Sequence, residues 1–158
     1  MKFERNKEGD KLKNLGLGKQ PLIKGWLEKY DITDYRINDD MTIDVDMDVN
    51  LDYKLNDNLP EYIQFNKVRN WFAIRGCHLT SLRGCPFECS SLFCNNNELT
   101  SLQYSPIKII NFFNFSNNKI TNFKYLKCGK NTSLNITFNP ISELEIEKNK
   151  LAGYNIYL

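Results

Sequence analysis

Residues 92–102 read Leu92-Phe93-Cys94-Asn95-Asn96-Asn97-Glu98-Leu99-Thr100-Ser101-Leu102, and the spacing of their apolar and polar side chains returns along the chain. The pattern apolar-x-apolar-x-x-polar-x-apolar also fits Phe72, Ile74, Cys77, Leu79; Phe113, Phe115, Asn118, Ile120; and Leu134, Ile136, Asn139, Ile141, at intervals of 20 or 21 residues. A fixed period of that length implies a solenoid, in which each copy is one rung that buries its apolar face by stacking on its neighbours. Three copies carry Asn at the polar position and the fourth carries Cys77. An Asn facing the core must have its amide satisfied, and stacked Asn side chains can do so by bonding the backbone of adjacent rungs as a ladder, where a thiol offers only a weak substitute. The alternative is that Asn97, Asn118 and Asn139 simply form turns.

Working outward, Ile43, Val45, Met47, Val49 and Leu51 alternate with Asp44, Asp46, Asp48, Asn50 and Asp52. That period of two predicts a half-buried strand with one carboxylate face. Its last part aligns with the repeats, so residues 49–68 read as a degenerate first rung with Leu55 one place out of register. Upstream, Leu22, Ile23, Trp26, Leu27 and Tyr30 fall at helical spacing with Pro21 in the first turn, which predicts a helix of about ten residues suited to covering the first rung. The expected organisation is a polar basic arm at 1–18, a helical N-terminal cap and linker at 19–42, and the solenoid at 43–158. Leu144, Ile146, Asn149 and Leu151 repeat the motif only ten residues after the fourth copy, as a truncated rung or an irregular cap, and the apolar end at Tyr154, Ile156, Tyr157 and Leu158 predicts a closing strand.

Composition narrows the function. The 21 basic and 19 acidic residues give a net charge of +2, which offers no bulk attraction to nucleic acid or anionic lipid. The charge is uneven, with seven bases in residues 1–24 and nine Asp in residues 31–57. No apolar run reaches membrane-span length and the Met-Lys-Phe-Glu-Arg start lacks a signal-peptide centre, so a cytoplasmic protein with no membrane association is expected. Five Cys at 77, 85, 89, 94 and 128 then read as reduced small hydrophobes. Asn114-Phe-Ser, Asn131-Thr-Ser and Asn135-Ile-Thr match glycosylation acceptors but carry no weight without a secretory signal.

The cysteines with His78 lack the paired short hooks of structural zinc, and Asp44, Asp46, Asp48 and Asn50 lack the Gly and Glu that complete a calcium loop. His78 and Cys77 are sequence neighbours that point apart on an extended segment. No metal, cofactor or catalytic residue is therefore expected, and the protein reads as non-enzymatic.

Residues 31–144 resemble the short leucine-rich repeat proteins of bacteriophages and their bacterial hosts. The segments that carry the likeness are Asp31-Ile-Thr-Asp-Tyr-Arg-Ile-Asn-Asp-Asp40, Thr42-Ile-Asp-Val-Asp46, Leu79-Thr-Ser-Leu-Arg-Gly-Cys-Pro86 and Leu99-Thr-Ser-Leu102, with Trp26-Leu-Glu-Lys-Tyr30 as a leader. Met47 stands where such proteins commonly have Gly, and the likeness fades after residue 123. It implies an α/β leucine-rich repeat solenoid with short parallel strands, an N-terminal capping helix, a mostly irregular convex side and a phage setting. It supplies no catalytic residue.

Sheet positions that alternate with the core should face the concave side, where solenoids bind. They are Asp48, Asn50, Asp52; Trp71, Ala73, Arg75; Ser91, Phe93, Asn95; Phe112, Asn114, Ser116; and Ser133, Asn135, Thr137. Trp71, Phe93 and Phe112 there predict a docking surface, because exposed aromatics cost solubility and Trp and Arg dominate interface energetics. The competing reading has the arm folded over them, or the register slipped so that they are core. The expected function is protein binding through Trp71, Arg75, Phe93, Phe112 and Asn114, with Asp48 and Asp52 steering association; the resemblance to phage proteins implies that the partner is a host protein and that binding inhibits a host antiviral defence component. The alternatives are self-association as a structural or assembly protein, and nucleic-acid binding by the basic arm.

Overall fold

The computed structural model describes residues 18–158, so the expected arm at 1–18 lies outside the described residues apart from Gly18. Over that range the chain is a β-solenoid of about five turns with mostly parallel strands and few helices. Helix α1 (Lys19–Lys29) is followed by β1 (Tyr35–Ile37), β2 (Ile43–Val45), β3 (Val49–Asn50), β4 (Phe65–Ala73), β5 (Glu88–Phe93), β6 (Lys108–Asn114), β7 (Ser133–Asn135), helix α2 (Glu143–Leu151) and β8 (Asn155–Tyr157). The strands form one sheet in the order β1-β2-β4-β5-β6-β7-β8, with β3 also paired to β4. Every pairing is parallel except the antiparallel β1–β2.

The core follows the period. Val49, Phe72, Leu92, Phe113 and Leu134 stack in register across the strands, and each is wholly buried. Burying one such side chain contributes about 1.5–3 kcal/mol, so the column is a principal cohesive element between rungs. Aromatics tie the first rungs to α1: the Trp26 ring lies 6.3 Å from Phe65, which lies 5.0 Å from Phe72. Helix α1 turns Ile23, Trp26 and Leu27 inward at the i, i+3, i+4 spacing of one face.

The step from a 20-residue interval between Phe72 and Leu92 to a 21-residue interval between Leu92 and Phe113 has a structural cause. Val68 pairs with Cys89 and Cys89 with Ile109, but β4 fits Arg69 and Asn70, and β6 fits Ile110 and Asn111, into the interval that β5 spans with Ser90 alone. The added residue is a bulge, which leaves one residue unpaired and bends the strand locally. The same accommodation corrects the strand expected over residues 43–52. It breaks into β2 and β3, residues 46–48 leave the sheet, and Met47 is 52% exposed instead of turning inward.

Each rung leaves its strand through a residue in the left-handed region: Tyr53, Gly76, Asn96, Asn117 and Phe138, all with φ between 50° and 60°. A second left-handed position falls at Gly84, Tyr104 and Tyr125. Gly84 is constrained twice, since at φ 90° a Cβ would also stand 2.9 Å from the Ile63 carbonyl oxygen.

The buried asparagines supply the polar frame. Asn97 Oδ1 accepts the backbone N–H of Cys77 (2.9 Å) and Leu79 (3.1 Å), while its Nδ2 donates to the carbonyls of Ile74 and Cys94. Asn118 accepts from Leu99 and donates to Cys94 and Phe115; Asn139 accepts from Ile120 and donates to Phe115 and Ile136. Each amide thus bridges its own rung and the one before. Cys77 Sγ reaches the Leu51 carbonyl at 3.1 Å, a weaker bond at the same position. Leu79, Leu99 and Ile120 are buried, whereas Asn139 and Ile141 are only half-buried at the last rung.

Residues 142–151 depart from the repeat. Ser142 accepts the N–H of Glu145, and α2 forms where a truncated rung or irregular cap is expected. β8 then extends the sheet beside β7, as the apolar end predicts.

Candidate functional site

Parallel register turns the solvent side of the sheet into rows. One row runs Trp71, Ser91, Phe112, Ser133, Asn155; the next runs Asn50, Ala73, Phe93, Asn114, Asn135, Tyr157. Asp52, Arg75, Asn95, Ser116 and Thr137 follow two positions further along each rung. The sequence register therefore holds for the named strand positions, while Asp48 leaves the sheet with residues 46–48 and several exposures differ from expectation. Ala73 and Ser116 are buried, and Trp71, Phe93 and Phe112 are half-buried instead of exposed.

Four of these side chains form one connected cluster. Asp52 accepts from both the backbone N–H and Nε of Arg75, each at 2.7 Å, so its carboxylate grips the arginine at two points. The guanidinium carbon of Arg75 sits 5.4 Å from the centre of the Phe93 ring, and that ring lies 5.9 Å from Phe112 at a tilt of 52°. The hydrogen bond to Asp52 holds the guanidinium above its ordinary pKa. Asp52 was expected as a free steering charge; its side chain is 11% exposed and committed to Arg75, which is 40% exposed. Asp48 is exposed, just before β3.

Asn114 has a local role. Its Oδ1 accepts the Ser116 N–H at 3.0 Å and the Ser116 hydroxyl at 2.8 Å, and Asn135 holds Thr137 in the same way. Two of the Asn-x-Ser/Thr triplets are thus turn-fixing units of the sheet face.

Beside this cluster runs a row of alternating charge that the sequence reading missed. Arg36 pairs in register with Asp44, Asp44 with Lys67, Lys67 with Glu88 and Glu88 with Lys108. Ion-pair distances are 2.6 Å for Arg36–Asp44, 3.3 Å for Lys67–Glu88 and 3.0 Å for Lys108–Glu88. The hydrogen bond from Lys108 holds Glu88 below the usual carboxylate range. Partial burial raises Asp44, but hydrogen bonds from Asn66 and Arg36 outweigh it and leave its pKa lowered. Opposite charges directly across a sheet favour this register over a slipped one.

A second apolar surface was also unanticipated. Phe87, Tyr104, Ile107 and Tyr125 are exposed around a groove of about 310 Å³ that Gln64 and Lys127 complete. Its signal in the sequence is the repeated Pro-apolar pair, Pro86-Phe87 and Pro106-Ile107, which stacks through the bond from Ile107 N–H to the Phe87 carbonyl.

Compared with known proteins, the chain matches no family model, no curated sequence and no solved structure. The remaining residues considered for chemistry are dispersed. His78 is exposed with Nδ1 3.7 Å from Glu98, and all five cysteines are buried as free thiols. Burial pushes Cys89 up to about 12 and Cys128 up to about 11, and raises Cys85 and Cys94 as well, so these thiols stay protonated at neutral pH. Among the described residues no three His, Cys, Asp or Glu gather as a metal site, and no helix is long and apolar enough to cross a membrane.

Proposed function

We propose that this chain is a leucine-rich repeat module of the phage type, with α1 as its N-terminal cap, that binds a host protein in the cytoplasm through the face carrying Trp71, Arg75, Phe93 and Phe112. The observation that supports this most is the Asp52–Arg75–Phe93–Phe112 cluster. Arg and large aromatics dominate binding energy in interfaces, and a guanidinium already held by a carboxylate and laid on a ring loses little freedom when a partner arrives. Beside the cluster Asn114 and Ser116 are held by their mutual hydrogen bonds, which keeps that part of the face ordered. Asp48, exposed just before β3, steers a basic partner surface. In the phage setting that the sequence resemblance implies, the partner is a component of antiviral defence and binding blocks it.

The test is affinity capture from a bacterial host lysate with the wild-type chain beside a Trp71→Ala/Phe112→Ala variant, with circular dichroism to verify that both are folded. The wild type should retain a specific protein that the variant loses. A folded variant that retains every specific partner overturns the assignment of this face.

A further inference from the structure

Helix α2 shows two unlike faces. Glu145, Ile146 and Asn149 are its half-buried side chains: Ile146 packs on the core, Glu145 Oε1 accepts the Phe123 N–H at 3.3 Å, and Asn149 Nδ2 donates within the helix to the Glu145 carbonyl at 2.8 Å. Ser142 caps the first turn. The opposite face holds Leu144, Glu147, Lys148 and Leu151, which lie within a narrow angular range because positions three, four and seven apart share one side of a helix. Leu144 is 81% exposed and Leu151 is 84% exposed, although an isolated nine-residue helix has no need of two outward leucines.

The order of these residues is self-complementary. Reading Leu144-x-x-Glu147-Lys148-x-x-Leu151 backwards exchanges Leu with Leu and Glu with Lys about a point between residues 147 and 148. Two copies of α2 laid antiparallel about a two-fold axis at that point would set Leu144 against the other copy's Leu151 twice, and Glu147 against its Lys148 twice. Such isologous contacts are what two-fold symmetry requires of a homodimer. The helix dipoles would also run in opposite directions, which favours the arrangement.

We propose that α2 is a homodimerisation helix, and that a second copy of this chain occupies its Leu144/Leu151 face. A nine-residue helix is about 13.5 Å long, so the contact is well below the roughly 1,200 Å² of a standard stable interface, and the dimer is weak, with a Kd on the order of tens of micromolar. None of these residues belongs to the sheet-face rows, so this inference stands or falls separately from host-protein binding.

Sedimentation equilibrium over a concentration series of the purified chain tests it. The wild type should dimerise reversibly; Glu147→Lys alone and Lys148→Glu alone should each weaken the dimer by about tenfold, because two attractive pairs become two repulsive ones. The double variant Glu147→Lys/Lys148→Glu restores opposite charges across the axis and should return the dimer to near wild-type strength, which a merely structural role for these surface residues would not produce. Leu144→Asp should leave a folded monomer. A wild type that stays monomeric at about 1 mM, well above the expected Kd, overturns the proposal and leaves this face to a different protein. So does a double variant that dimerises no better than the singles.

Discussion

Replacing Asn97 by Ala removes more from this fold than any other single amide in the ladder. Its Oδ1 is the acceptor for two buried N–H groups, those of Cys77 and Leu79, and its Nδ2 serves the Ile74 carbonyl. The Cys94 carbonyl keeps a donor in Asn118, and the Asn95 carbonyl keeps the N–H of Gly76, so the change orphans three groups. An unsatisfied buried polar group costs about 1–3 kcal/mol, and with partial relaxation the sum is about 3–5 kcal/mol, a large part of the stability of an ordinary domain. Asn118→Ala orphans only the Leu99 N–H, because Cys94, Phe115 and Ser116 each keep another donor, and should cost about 2 kcal/mol. Cys77→Ala removes a weak thiol interaction shared between the Leu51 and Arg75 carbonyls, which also accept from Lys54 and Tyr53, and should cost about 1 kcal/mol. Urea unfolding followed by circular dichroism gives the ranking. If Asn97→Ala proves no more destabilising than Cys77→Ala, the asparagines are turn formers and the ladder carries no special weight.

Three further outcomes follow from particular contacts. Gly84→Ala should lower the melting temperature by several degrees, since at φ 90° the new methyl group meets the Ile63 carbonyl and the Leu59 side chain, at a cost of about 1–2 kcal/mol. Glu88 has its folded pKa depressed by Lys108 and Lys67, so its contribution is present above the ordinary carboxylate pKa and is lost as the pH falls through the folded value. The stability difference between wild type and Glu88→Gln, at most about 1 kcal/mol at pH 7 for a pair this exposed, should therefore vanish in acid; a difference that persists at pH 2 argues against the charge row. Finally, Cys85 and Cys94, wholly buried with raised pKa values, should react with a disulfide reagent at neutral pH only as the chain unfolds, whereas rapid labelling of either in the native protein would place it at the surface.

The rows of the sheet were legible because two apolar positions per rung, Phe72 and Ile74 or Leu92 and Cys94, fix both the strand and the side it buries. Once they are aligned, Trp71, Phe93 and Phe112 fall on the opposite face without further information. What the period could not carry was the bulge. Alternation over residues 43–52 obeys a period of two, yet the rung needs room at 46–48, and Met47 leaves the core for that reason. Helix α2 was obscured for a different cause: Leu144, Ile146, Asn149 and Leu151 imitate the repeat, while Ser142 with Glu145 three residues later and the run of Glu and Lys favour a helix. Pairings such as Asp52 with Arg75, 23 residues apart, depend on which rotamers reach across a rung, and no pattern of residue types announces them. The charge row from Arg36 to Lys108 is the exception, since its signs alternate at repeat spacing and were there to be read.

Binding by the sheet face is tested most directly by titrating the captured host partner into the wild-type chain and into Phe93→Ala, in a calorimeter. Phe93 is the ring on which Arg75 rests and against which Phe112 packs, so its loss disorders both neighbours while sparing the buried column beneath. A central interface residue of this kind is worth about 2 kcal/mol or more, and the affinity should fall at least about thirtyfold. An affinity within about twofold of wild type, in a variant that unfolds at the same urea concentration, would contradict the assignment of this face as the binding site.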